Sequence, residues 1–184
     1  MAAVAALLGC SGDDATDSTA NADGSTSGEI EGLEIERVGD YVHVRDGFNV
    51  DYPVPAPSGG DHLYGSTWLT CGVYDGEVPD ELVVHSMEHG AVWIALGPDS
   101  TTADRELATE LAAGHRVVVS DVPDLTNPVE LVAWGFRLPL ESVADPRTEA
   151  FIAEFVDAAT APEAGAACEG AYGVPPTPPE LPAG

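Results

Sequence analysis

Residues 82–96, LVVHSMEHGAVWIAL, constrain the fold more than any other stretch of this chain. Apolar side chains fill both ends, so the segment belongs in a core. Its middle carries two histidines, a serine and a glutamate, which need partners or a ligand once buried. Val83, Val84, Val92, Trp93 and Ile94 favour extended backbone, and Gly90 weakens a helix by about 1 kcal/mol relative to alanine. No helix caps stand out. The segment therefore reads as one long β-rich stretch with a bend at Gly90. Strand alternation puts His85, Met87 and His89 on one face and Glu88 on the other with Val84 and Val92. The Cα atoms of His85 and His89 would then lie about 13 Å apart, too far to share an ion unless the chain bends. The same letters spell H-x-x-E-H, a zinc-hydrolase pattern that requires a helix, and the β formers argue against it.

The remaining elements follow from periodicity and punctuation. Residues 33–46 alternate, with Tyr41-Val42-His43-Val44 as the best strand core. Residues 53–60 (PVPAPSGG) form a rigid, turn-rich loop with Asp61 and His62 at its end. Leu107 and Leu111, a threonine at the start and Gly114 past the end predict a helix over 101–113. Residues 116–120 and 129–134 read as strands. A second helix opens at Asp145-Pro146 and buries Phe151, Ile152, Phe155 and Val156. This order predicts an α+β ferredoxin-like sandwich, a mostly antiparallel sheet with two helices on one face. The expected domain spans 33–173, with a Pro-rich tail over 174–184.

The chain carries 32 acidic and 6 basic residues, a formal net charge of −26, which excludes nucleic acid as a partner. Residues 1–10 end in Leu7-Leu8-Gly9-Cys10, the pattern of a lipobox in which Cys10 is lipidated. The apolar run is too short to span a bilayer, which takes about 20 residues, and it lacks a basic start. Residues 11–32, rich in Ser, Thr, Asp and Gly, read as a disordered tether. Together they predict an extracytoplasmic lipoprotein of the cell envelope, held at the membrane by its lipid. In an oxidising compartment Cys71 and Cys168 are expected to pair as a disulfide. The competing reading makes Cys71 a thiolate ligand near His62.

His62, His85, Met87 and His89 are the candidate metal ligands. Imidazole with thioether favours copper, Cu(I) in particular, and zinc is the alternative where Met87 only packs. Each residue also has a plainer reading: Met87 as core, the histidines as satisfied polar groups, Glu88 as the partner of Arg37, Arg45, Arg116 or Arg137.

The run Ala56-Pro57-Ser58-Gly59-Gly60-Asp61-His62, then Cys71-Gly72-Val73-Tyr74, then His85 to Val92, resembles the bacterial family catalogued as domain of unknown function 3105. Ala133-Trp134-Gly135 and the Phe151-Ile152 helix match it in order, so the resemblance covers about residues 36–163. It implies an exported or membrane-anchored protein in which His62, His85, Glu88 and His89 are the motif residues. The family commonly has leucine where this chain has Met87.

Three functions follow as expectations. The first is an exported lipoprotein whose His/Met site binds or handles copper. The second is a metal-dependent hydrolase with Glu88 as general base. The third is a non-catalytic envelope module whose histidines and Glu88 form a structural polar core.

Overall fold

The computed structural model describes residues 30–183. The lipobox at Cys10 and most of the tether lie outside the described residues. Among the described residues eleven elements follow in order: β1 (Glu34–Ile35), β2 (His43–Val44), β3 (His62–Leu63), β4 (Gly72–Glu77), α1 (Asp80–Glu88), β5 (Val92–Leu96), α2 (Thr102–Ala112), β6 (Val117–Asp121), β7 (Val129–Ala133), β8 (Phe136–Leu140) and α3 (Arg147–Phe155). Six strands form one mixed sheet in the order β1-β8-β7-β5-β6-β4. The pairs β1·β8, β8·β7 and β7·β5 are antiparallel, while β5·β6 and β6·β4 are parallel. β2 and β3 make a separate parallel pair.

The central strands are apolar on both faces, as doubly covered strands must be. Trp93, Ala95, Val118 and Val132 point into one core, where Leu82, Val83, Val84 and Met87 of α1 pack. Val92, Ile94, Leu96, Val117, Val119, Val129 and Leu131 point into the other, beneath Ala108 and Ala112 of α2 and Phe151, Ile152 and Phe155 of α3. The α+β class and mainly antiparallel sheet agree with expectation, as do the two helices sharing a face. The ferredoxin-like sandwich has no place for what else is present: a third helix on the opposite face and two parallel pairings within the six-stranded sheet. Residues 172–181 run beside β4, where Asp75 N–H donates to the Pro176 carbonyl at 2.8 Å and Leu181 packs on the first core.

The largest correction concerns residues 82–96, which are a helix followed by a strand. Asp80 and Glu81 occupy the first turn of α1, where carboxylates complement the helix dipole. At its other end Gly90 N–H donates to Met87 O at 2.9 Å and Ala91 N–H to Ser86 O at 3.0 Å. That pair of bonds is a Schellman closure. Gly90 has φ +94°, and a Cβ there would stand 2.9 Å from Asp157 Cα. The glycine thus ends the helix and lets the 157 region approach; it does not bend a strand.

α2 begins with a reciprocal cap. Thr101 Oγ1 accepts from Asp104 N–H at 3.2 Å, and Asp104 Oδ2 accepts from Thr101 N–H at 2.9 Å and its hydroxyl at 2.6 Å. Asp104 Oδ1 also accepts from Ser142 Oγ at 2.6 Å and Val143 N–H at 2.8 Å, tying the helix start to the approach to α3. Burial pushes this carboxyl up, but the hydrogen bonds from Ser142, Thr101 and Val143 outweigh it and hold it down at about 2. A carboxyl depressed on folding stabilises fully above its unfolded value near 3.8 and loses that contribution as pH falls toward 2. Asp104→Ala is expected to cost about 2–4 kcal/mol in urea unfolding at neutral pH. Asp104→Asn should flatten the pH dependence of stability between those two values.

Candidate metal centre

The site gathers where α1 meets the β2·β3 pair. On a helix, residues three and four apart share a face, so His85, Glu88 and His89 project together. Met87 projects away from them, fully buried in the apolar core. His43 and His62 stand opposite each other in the β2·β3 register. That pair is held by Tyr64 N–H to Val44 O at 3.1 Å and by Val42 N–H to Asp61 Oδ1 at 2.8 Å.

Glu88 is the hub. Its Oε2 lies 3.0 Å from His62 Nε2, 3.3 Å from His43 Nε2 and 4.0 Å from His85 Nε2. Its Oε1 accepts from the Tyr41 hydroxyl at 2.8 Å. One donor atom each from His43, His62, His85 and Glu88 lies within 4.8 Å of all the others. In a tetrahedral site with bonds of about 2.0–2.1 Å, ligand atoms stand about 3.3 Å apart. The four residues could hold a metal ion. Tyr41 and Trp134, whose rings lie 5.5 and 5.8 Å from that of His62, wall one side. Trp68, 4.8 Å from His89 and 5.8 Å from His85, walls another.

The hydrogen bonds around His62 set its tautomer. Nδ1–H donates to the Gly60 carbonyl at 2.8 Å, two residues back in a loop where Gly60 takes φ +119°. A neutral ring so fixed aims the lone pair of Nε2 at the Glu88 carboxylate, lone pair against lone pair. Such a contact requires a cation, proton or metal, between the two. Nδ1 of His85 is buried with no hydrogen-bond partner. Burial and the neighbouring His62 and His89 lower the His85 imidazole to about 3, so the ring is neutral at physiological pH and its lone pair is free to coordinate. Where the cation between His62 and Glu88 is a proton, burial raises the Glu88 carboxyl, but hydrogen bonds from His62 and Tyr41 and the charges of His62 and His43 outweigh it and bring it to about 2. Burial and the Glu88 carboxylate together push the Tyr41 phenol up to about 12.

The structure brings together His62, His85 and Glu88 from the sequence reading and adds His43, which that reading treated only as strand core. Its one signal was position: Tyr41 and His43 share a strand face. His43 is also the accessible member, with its side chain 40% exposed against 0% for His62. His89 sits beside the group, its ring 4.7 Å from that of His85, and belongs with Glu88 and Glu163 in a second set of donors. Glu88 faces the histidines, contrary to the strand expectation. Its side chain meets Tyr41 and histidines, whereas Arg137 pairs with Glu130 and Arg116 with Asp157. Cys71 is bonded to Cys168 as a disulfide, with Cα atoms 5.5 Å apart, and is therefore no thiolate ligand.

No curated protein and no solved structure matches the chain. The sequence model of one family, described as protein of unknown function (DUF3105), matches residues 43–170, which begins at His43 and takes in every donor named above. The match spans well over half of the 184 residues, and the chain belongs to that family.

Proposed function

We propose that this protein is an exported, lipid-anchored module that binds a divalent transition-metal ion through His43, His62, His85 and Glu88. The observation that carries the reading is the contact of His62 Nε2 with Glu88 Oε2 at 3.0 Å, with Nδ1–H of the same ring already committed to Gly60. A metal ion resolves the opposed lone pairs and also takes the lone pair of His85. Metal-bound histidines generally donate their other N–H to a carbonyl or carboxylate in this way. Three imidazoles and a carboxylate suit Zn²⁺ or Cu²⁺. The case for Cu(I) rested on Met87, whose sulfur lies in the apolar core, so copper is proposed here as Cu²⁺ with zinc as its equal. Export and anchoring at Cys10 are supported by the residues around that cysteine and by the disulfide, which belongs to an oxidising compartment.

The hydrolase reading gains the proximity it lacked, yet Glu88 suits a ligand better than a base. With Oε1 accepting from Tyr41 and Oε2 directed at the position between the histidines, Glu88 has no oxygen left to take a proton from a bound water.

Elemental analysis of chelator-free protein, followed by titration with Zn²⁺ and Cu²⁺, tests the proposal. The wild-type protein is expected to take up metal in a fixed ratio, and His62→Ala with His85→Ala should abolish uptake at this group. His43→Ala, at the exposed rim, should weaken affinity by at least about tenfold without loss of fold. Undiminished affinity in all these variants refutes the assignment.

A further inference from the structure

His89 is left outside the four-donor group, yet it is prepared in the same way as His62. Its Nδ1–H donates to the Ala167 carbonyl at 2.7 Å, which fixes the lone pair on Nε2. That Nε2 lies 3.5 Å from Glu163 Oε2. One donor atom each from Glu88, His89 and Glu163 lies within 4.8 Å of the others, so the Glu88 carboxylate is common to both groups. Glu163 rides on a loop pinned to the end of α1. Its own N–H donates to Glu88 O at 2.9 Å, and Gly165 N–H donates to His89 O at 3.2 Å. Arg116 Nη2 adds a bond to His89 O at 2.8 Å and another to Ala166 O, and Cys168 fastens the loop's far end. The loop is thus held in place before any ion arrives.

We infer that the centre is binuclear: a second divalent transition-metal ion binds between His89 and Glu163, and the Glu88 carboxylate bridges it to the first. The inference rests on the metal-binding function proposed above. Carboxylate-bridged pairs of this type stand about 3.5–4 Å apart. The two positions differ in chemistry. The first has four protein donors, a full tetrahedral complement. The second has three, which leaves one coordination position for water or a small anionic ligand, the arrangement of an exchangeable or reactive ion. The Glu163 side chain is 54% exposed, so that position opens toward solvent.

The test is a count. Full-length protein loaded with Zn²⁺ and desalted is expected to retain two ions per chain by elemental analysis, and Glu163→Gln to retain one. A chain with a net charge of −26 also collects cations loosely, so Glu110→Gln, at an exposed site on α2, serves as control and should retain two. Loading with Cu²⁺ gives an independent readout. Two bridged Cu²⁺ ions couple magnetically and lose much of their paramagnetic resonance intensity, and Glu163→Gln should restore the full signal of one isolated ion. One ion in the wild-type protein overturns the second site and leaves the first standing, whereas none overturns both. Two ions in Glu163→Gln, or an uncoupled wild-type spectrum, overturns the bridge between His89 and Glu163.

Discussion

Glu88→Gln is expected to leave the metal-free protein as stable as the wild type, or more so, while removing nearly all the stability that metal confers. On the metal-site reading, in which the His62 ring is neutral, the metal-free wild type sets its lone pair against a carboxylate oxygen at 3.0 Å. A glutamine removes that conflict, because its amide N–H donates to Nε2 and its carbonyl still accepts from Tyr41. The side chain keeps its size and place in a wall that is 1% exposed, so no cavity forms. The neutral amide, however, is a poor metal ligand. An ion at a thousand times its dissociation constant stabilises a protein by about 4 kcal/mol, and this gain should vanish in the variant. The polar-core reading makes the opposite forecast. There Glu88 is one half of a buried ion pair with protonated His62, and neutralising it strands the other half at a cost of about 3–5 kcal/mol. Urea unfolding of both proteins, with chelator and with Zn²⁺, separates the two. A metal-free variant several kcal/mol weaker than wild type, unresponsive to metal in either form, leaves only the structural core.

Most regular elements were legible in the sequence, and the exceptions have definite physical causes. α2 announces itself through its capping threonine and Gly114; β6 and β7 are short apolar runs bounded by turns. β8 is obscured by Pro139, which a strand tolerates only where its N–H is not needed. Here Pro139 lies opposite Glu130 of β7, and β1 covers β8 only at Phe136 and Arg137, so the β1 side of the strand is open beside the proline. α1 hides behind its own valines. Their β propensity dominates a local reading, although Asp80, Glu81 and Gly90 mark both ends, and the apolar residues Leu82, Val83 and Met87 fall on one helical face. Propensity is a weak prior against packing, and helix α1 packs all three residues in one core. Choosing the strand moved Glu88 to the wrong face and set Met87 among the histidines, so one error of period changed both the expected ligand set and the expected metal. His43 could not be paired with His62 by any local signal. Their meeting depends on a parallel pairing between strands of two residues each, set by the loop between them and by the face of α1 they cover.

Removing the disulfide is expected to have the largest effect on stability. It closes a loop of 97 residues, and constraining a loop of that size in the unfolded chain contributes about 4–5 kcal/mol in the chain-entropy account. Domains of this size commonly have about 5–15 kcal/mol in total. Cys71→Ser with Cys168→Ser should therefore lower the melting temperature by about 10–20 °C. The loss should not fall evenly on the molecule. Cys71 N–H donates to Cys168 O at 2.9 Å, Thr70 N–H to Tyr172 O at 2.8 Å and Tyr172 N–H to Trp68 O at 3.0 Å, so the bond fastens a seam rather than an isolated point. One side of the seam carries Trp68, which packs on His85 and His89; the other carries Glu163 and the Ala167 carbonyl that orients His89. The His43/His62/His85/Glu88 group takes all four of its donors from β2, β3 and α1, and the seam gives it only the Trp68 wall beside His85. Below its melting temperature the serine variant should thus retain the inner ion and lose the outer one. Calorimetry measures the first effect and elemental analysis the second. An unchanged melting temperature would mean that the bond constrains little of the unfolded chain. Equal loss of both ions would mean that the two groups stand or fall together on the 161–168 loop.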